Sequence, residues 1–212
     1  GSTTGLDGDG LNAAVSGDTN AICDDDRTPD YTYPSCGGIA ENGCSWTQCS
    51  VDDVAFSAAL VQKVSANVCI DSDRVYAVGG SNGGMFVWDL GRDERSAEVF
   101  RAVAPILGLP HRGYLDPPVS ESGMPVISIT GSRDRTVPPG EWGQDTFTTT
   151  SDGDVYYYSS ASAITKVWAE AHGCDATVPA EPVDIGSSSM ECRGWSYCQS
   201  DSKWPPVMDC RS

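Results

Sequence analysis

Histidine and lysine are scarce in this chain, which has two histidines, His111 and His172, and three lysines. Cysteine pairs with the C-x2-C spacing of zinc sites are missing altogether. No stretch approaches the roughly 20 apolar residues that a membrane-spanning helix requires. We therefore predict a protein that does not cross the membrane, holds no metal and needs no cofactor.

Positive charge is also in short supply, with 13 basic side chains against 30 acidic ones and a formal net charge of -17. A field of this sign repels the phosphates of nucleic acid and the headgroups of anionic lipid. We therefore expect neither nucleic acid nor a membrane surface among the partners.

Cysteine, in contrast, is abundant, and the nine cysteines are Cys23, Cys36, Cys44, Cys49, Cys69, Cys174, Cys192, Cys198 and Cys210. So many thiols without a metal-binding pattern indicate disulfides, and disulfides indicate an exported protein. An odd number leaves one sulfur unpaired, or paired with a segment or partner outside this sequence. We predict a secreted, disulfide-braced fold.

At 212 residues the chain is long enough for a single domain with one core. Residues 1–49 are rich in Gly, Asp, Ser, Thr and Cys without helical or strand periodicity, which predicts an acidic N-terminal loop region. Within it, residues 7–12 resemble the start of a calcium loop but lack the closing glutamate, which favours a solvated acidic segment. The core is expected to span residues 50–212.

Apolar patterns divide this core into alternating strands and helices. Runs of strand length lie at 75–78, 102–107, 125–130 and 206–210. Helical patterns begin at a capping box at Ser50 and continue to 66, follow Ser81 to Leu90 with Gly91 as the stop, and cover 160–171 before Gly173. This alternation predicts an α/β fold, with a small, mainly parallel four-stranded sheet and flanking helices.

The pattern G-x-S-x-G occurs at residues 79–83, between a predicted strand and a predicted helix. In that context it indicates a tight turn that exposes a nucleophilic serine, Ser81, at the end of the sheet. The backbone N–H of Asn82, at the start of the helix, can then stabilise an oxyanion. The alternative is a glycine-rich turn with an incidental serine.

A serine nucleophile needs a base, and the base needs an orienting carboxylate. Asp134 follows the strand that ends at Thr130, so it is expected at the same edge of the sheet as Ser81. We predict Asp134 as the acid. The alternative is a loop aspartate paired with Arg133 or Arg135.

Residues 73–85 resemble the nucleophile segment of the secreted polyhydroxybutyrate depolymerase and feruloyl esterase family. The resemblance extends to residues 50–56, to 130–138, where Thr130 replaces the histidine of the family's acid loop, and to 168–174. It covers about residues 50–175, and 192–210 more loosely. It implies an α/β-hydrolase fold and hydrolysis of esters in polyesters, acylated plant polysaccharides or small acyl esters.

This chain departs from the family in its oxyanion loop and its base. The family's H-G motif, which supplies the second oxyanion N–H, has no counterpart in residues 1–50. The family's histidine follows the last strand, whereas His172 ends a helix about 18 Å from that helix's start, and His111 gives the unusual order Ser, His, Asp. A trimmed chain, or a missing segment or partner that completes the fold, would explain both departures.

Two functions follow from these observations. The first is a secreted serine esterase that acts on a polymeric or small ester substrate through an acyl-enzyme on Ser81. The second is a non-catalytic extracellular binding or structural module derived from the same fold, in which exposed side chains among Trp142, Trp195 and Trp204 stack on sugars or polymer.

Overall fold

In the computed structural model of this chain, the described residues are 32–33, 44–45, 53–110, 124–140, 146–149, 155–198 and 205–212. Most of the predicted N-terminal loop region, including the calcium-loop-like residues 7–12, lies outside these ranges. So do the capping box at Ser50 and the candidate base His111.

The described chain contains both helices and strands. The helices are α1 (Asp53–Ser65), α2 (Asn82–Arg92), α3 (Glu94–Ala97) and α4 (Ala161–Ala171). The strands are β1 (Thr32–Tyr33), β2 (Cys44–Ser45), β3 (Tyr76–Gly80), β4 (Ala102–Ile106), β5 (Val126–Thr130), β6 (Thr146–Thr149), β7 (Val155–Tyr158), β8 (Glu181–Val183), β9 (Glu191–Gly194) and β10 (Val207–Arg211).

The main sheet has six strands in the order β3-β4-β5-β10-β9-β8. Strands β3, β4, β5 and β10 are parallel neighbours, and β9 and β8 continue the sheet in antiparallel pairing. The architecture is therefore α/β, as predicted. The expectation of a four-stranded sheet is wrong, because two further strands extend it beyond β10.

The core lies between one face of this sheet and the helices. Strand register aligns Ala77, Val103, Val126 and Val207 across β3, β4, β5 and β10, and all of them are buried. Helix α2 packs on β3 and β4, and α4 packs on β5 and β10. The helices meet through Trp88 and Trp168, whose ring centroids lie 4.9 Å apart. These contacts join the two halves of the parallel sheet.

The outer strand β3 is only partly covered. Tyr76 and Val78 point away from the buried face and are 57% and 63% exposed. Strand β3 pairs with β4 alone in the described sheet, and no described strand lies along its other side. We call this side of the molecule the open edge.

Helix ends follow the expected chemistry except at Gly91. Ser160 caps α4 by accepting a hydrogen bond from the Ala163 N–H, and Gly173 ends that helix with a φ of 64°. The prediction that Gly91 stops α2 is wrong, since the helix continues to Arg92. A Cβ on Gly91 would lie 3.1 Å from a methyl of Val103, so close helix–sheet packing explains this glycine better than a stop does.

Two disulfides hold the opposite side of the sheet. Cys192 of β9 is bonded to Cys210 of β10, and Cys174 after α4 is bonded to Cys198. Cys69 is exposed and carries a free thiol. The prediction of a disulfide-braced fold is therefore confirmed for this part of the chain. No helix in the described ranges has the length and apolar character needed to span a bilayer.

Candidate active site

Ser81 occupies a sharp turn between β3 and α2. Its φ of 53° and ψ of -123° lie in a region that residues with a side chain seldom adopt. The turn is held by two backbone hydrogen bonds, from the Ser81 N–H to Ile106 O at 2.9 Å and from the Met85 N–H to Ser81 O at 3.0 Å. Ser81 is exposed, so its hydroxyl is accessible at the carboxyl end of the parallel strands.

Close backbone packing surrounds this turn and requires glycine. A Cβ on Gly79 would lie 2.2 Å from the carbonyl oxygen of Gly83, and a Cβ on Gly108 would lie 2.2 Å from that of Ser81. In contrast, a Cβ on Gly83 would meet nothing within 4 Å. The first glycine of the G-x-S-x-G pattern is thus required by packing, whereas the second stands in open space.

Asn82 is the first residue of α2, directly after Ser81. The first hydrogen bond of the helical ladder runs from the Met85 N–H to Ser81 O, so the Asn82 N–H precedes the ladder and has no helical acceptor. The helix dipole also favours negative charge at this end. The local structure thus leaves one backbone N–H without a helical acceptor beside the serine.

Asp134 lies in the loop of residues 131–140 that follows β5, which we call the acid loop. Its Oδ1 accepts hydrogen bonds from the backbone N–H groups of Thr136 and Val137 at 2.7 and 3.0 Å. Within the described residues no ion pair joins Asp134 to Arg133 or Arg135, so the alternative of a paired loop aspartate finds no support there. The carboxylate is partly buried and fixed by its own loop.

Ser81 and Asp134 lie at the same edge of the sheet, because each follows the carboxyl end of a parallel strand. Their strands, β3 and β5, flank β4 on either side, which separates the strand ends by roughly 10 Å, or two strand spacings. We call this edge the rim. An imidazole and its two hydrogen bonds can occupy such a gap.

Leu107 lies between the two, at the end of β4, and sequence reasoning missed it. It has a φ of 51°, a conformation that costs a leucine backbone strain, and it is 40% exposed. Its Cδ2 comes within 3.5 Å of where a Cβ on Gly131 would stand, so it lies over the start of the acid loop. The rim therefore has an apolar surface between Ser81 and Asp134.

His172 is placed far from the rim. It caps the carboxyl end of α4, and its ring forms a hydrogen bond with the backbone of Met124, just before the start of β5. Since Asp134 follows the other end of β5, His172 lies at the opposite edge of the sheet from Ser81. Burial lowers the pKa of this imidazole, and the hydrogen bond to Met124 opposes that shift only partly. His172 is therefore not placed to act on a group bound at Ser81.

Of the three tryptophans predicted to stack on sugar or polymer, one lies in the core and two lie outside the described residues. Trp195 is buried at 5% exposure, so it packs in the core and cannot stack on an external sugar. Trp142 and Trp204 lie outside the described residues. Among the described residues, no group of three or more histidine, cysteine or acidic side chains is arranged to hold a metal ion.

Comparison with known proteins gives no relative: no family model, no curated protein and no solved structure matches this chain. Ser81, Asn82 and Asp134 at the rim are therefore the residues from which a function can be inferred.

Proposed function

We propose that this protein is a secreted serine esterase in which Ser81 attacks the carbonyl carbon of a carboxylic ester. The observation that carries the proposal is the strained, exposed turn at Ser81, with a φ of 53°, between a parallel strand and a helix. Strain of this kind persists where the surrounding packing imposes it, and it is concentrated at functional sites. The α/β-hydrolase resemblance of the turn sequence supports the same conclusion.

In the proposed reaction, the Ser81 oxygen bonds to the ester carbon while its proton passes to a base. The Asn82 N–H stabilises the resulting oxyanion. The carbon–oxygen bond to the alcohol then breaks, and the alcohol leaves with that proton. Water attacks the acyl-enzyme in the same way, releasing a carboxylic acid and restoring Ser81.

We assign the base in this proposal to His111, because His172, the other histidine of the sequence, lies at the opposite edge of the sheet. His111 follows Pro110, which is buried at the rim and whose carbonyl accepts a hydrogen bond from the Ser159 N–H. Asp134 would orient the imidazole. The chain order Ser, His, Asp differs from that of the resembled family, which makes His111 the first residue to test.

The substrate class is an ester with an apolar acyl group, either in a polyester or on a polysaccharide. The half-exposed Leu107 beside Ser81 offers an apolar contact for such a group. Secretion is proposed from the two disulfides, which persist in oxidising compartments.

Labelling with a fluorophosphonate tests the nucleophile. We expect one probe per chain on the peptide that contains Ser81, and no labelling of Ser81→Ala. Ser65→Ala is the matched control, because Ser65 is exposed and its hydroxyl bonds only to backbone carbonyls of its own helix. Absence of labelling in the wild-type protein, or labelling that survives Ser81→Ala, would overturn the esterase proposal.

Turnover of p-nitrophenyl butyrate tests the base. We expect His111→Ala to lower kcat by roughly 10²-fold or more, as loss of a general base does, and His172→Gln to leave kcat within about twofold. Equal rates for His111→Ala and the wild-type protein would remove His111 from the mechanism.

A non-catalytic binding module is the second candidate, and one observation favours it: the one histidine among the described residues lies at the wrong edge. This candidate predicts two outcomes for the wild-type protein. It shows no esterase turnover, and it is retained on insoluble polyester or polysaccharide. Retention that Leu107→Asp abolishes would identify the rim as the binding surface.

A further inference from the structure

The carboxyl end of β10 is bonded to both ends of the acid loop. At the start of the loop, the N–H and the Oγ of Ser132 both donate to Ser212 O, at 2.9 and 2.7 Å. At the end of the loop, Arg211 Nη1 donates to Gly140 O at 2.9 Å. The segment that carries Asp134 is therefore held at both of its ends by a neighbouring strand.

Arg211 is itself oriented by a buried carboxylate. Its Nη2 lies 3.4 Å from Oδ2 of Asp209, and the two side chains are 17% and 0% exposed. Burial raises the pKa of Asp209, and the nearby Arg211 and Arg193 offset this only partly. A buried ion pair of this kind is weak evidence for stability, since apolar residues of similar size often serve as well. Stability alone therefore does not explain why Asp209 and Arg211 are paired here.

Hydrogen bonds inside the acid loop connect the Asp134 carboxylate to the rest of the loop. The Asp134 N–H donates to Gly131 O at 3.0 Å, and the Asp134 carboxylate accepts from Thr136 and Val137. These bonds make residues 131–137 one compact turn. Because Ser132 and Gly140 are held in place, the position of Asp134 at the rim is fixed as well.

We propose that Arg211, oriented by Asp209, is a positioning residue that holds the acid loop so that Asp134 faces the base of the Ser81 site. This assignment rests on the proposed esterase function. Arg211 contacts no reacting atom in this scheme and acts through Asp134. A planar guanidinium suits the role because it binds a carbonyl and a carboxylate at the same time in fixed directions.

Steady-state turnover of p-nitrophenyl butyrate by Arg211→Met tests the assignment. We expect kcat to fall about 10²-fold with KM within twofold, because a misplaced catalytic group slows the chemical step more than it weakens binding. Arg211→Lys keeps the charge without the planar fork and is expected to recover only part of the rate. Arg133→Met, which removes an exposed arginine from the same loop, is the matched control and is expected to retain wild-type rates.

Hydrogen exchange separates failure of this inference from failure of the esterase proposal. The N–H groups of Thr136 and Val137 are bonded to the Asp134 carboxylate, so we expect Arg211→Met to accelerate their exchange at least tenfold, whether or not the protein hydrolyses esters. Unchanged exchange at these amides would overturn the positioning role, even in an active enzyme.

Ser132→Ala provides a milder second variant should Arg211→Met fail to fold. It removes the 2.7 Å bond from Oγ to Ser212 O and leaves the backbone bond in place. We expect a loss in kcat of a few-fold, with faster exchange confined to the acid loop. No change in either measurement would contradict the proposal.

Discussion

The two edges of the main sheet are built in opposite ways. At the open edge, β3 is parallel to one neighbour and exposes Tyr76 and Val78. At the far side, β10, β9 and β8 pair antiparallel, and a disulfide joins β9 to β10. The candidate nucleophile belongs to the open edge, whereas the acid loop is bonded to the disulfide-linked side.

This difference shows how each candidate catalytic residue keeps its conformation. The Ser81 turn depends on contacts between nearby residues, since Gly79, Gly83 and Gly108 surround it within one β-α-β unit. The acid loop depends on bonds between residues 80 positions apart, such as Ser132 with Ser212. Changes at the disulfide-linked side are therefore expected to affect Asp134 more than Ser81.

Removing the bond between Cys192 and Cys210 is expected to give the largest effect. The two cysteines are 18 residues apart in sequence, and replacing both by alanine is expected to cost about 3 kcal/mol of unfolding free energy, measured by urea denaturation. The control is the matched pair of alanines at Cys174 and Cys198. A loss of exchange protection in the acid loop is expected from the first pair only, and equal losses from both would contradict the comparison.

Gly79→Ala tests the close packing that holds the Ser81 turn at the open edge. Its Cβ would collide with the Gly83 carbonyl at 2.2 Å, so strand and helix must separate, at an expected cost of about 2 kcal/mol and with loss of probe labelling at Ser81. Gly83→Ala is the control, because its Cβ has open space. We expect it to fold and label normally, and equal damage from both substitutions would refute the packing explanation.

The lowered pKa of His172 predicts that the stability of the fold depends on pH. This dependence does not involve the residues at the rim. Burial lowers the pKa of His172 in the folded protein, so below the unfolded value of about 6.5 the unfolded chain binds the proton more readily. Stability is therefore present above that pH and declines as the pH falls toward the lowered folded pKa. Between pH 7.5 and 5.5, we expect the melting temperature of His172→Gln to fall less than that of the wild-type protein.

Val78→Lys is expected to have the smallest effect on folding. The side chain is 63% exposed, so the unfolding free energy is expected to change by no more than about 0.5 kcal/mol. A charge on an unpaired strand opposes edge-to-edge association, and we expect less light scattering at high protein concentration. The same substitution at the buried Val103 is expected to unfold the protein, and similar behaviour at both positions would contradict the assignment of the open edge.

Much of the parallel sheet could be predicted from the sequence. The apolar runs placed β3, β4, β5 and β10 within one or two residues of their bounds, because buried parallel strands leave continuous apolar stretches. Strands β8 and β9 escaped prediction. Glu181 and Pro182 interrupt the apolar pattern of β8, and an edge strand such as β8 tolerates them. Glu191 and Arg193 interrupt the pattern of β9.

The candidate site was predictable only in part. A turn motif identifies Ser81 and Asn82 because the chemistry depends on neighbours in sequence, and strand order places Asp134 at the same edge. The proposed roles of Leu107 and Arg211 depend on a positive φ and on contacts between distant segments, which no local pattern encodes. The sequence contains one signal of a buried charge near the rim, which is Asp209 inside the last predicted apolar strand.

The hydrogen bonds between Ser132 and Ser212 also bear on the order in which the molecule folds. Contacts between residues so distant in sequence form late, because closing a long loop must precede them. The turn around Ser81 needs only its own unit of the chain. During refolding, helix content and the Ser81 turn are therefore expected to return first, and the proposed reactivity of Ser81 only after β10 has entered the sheet.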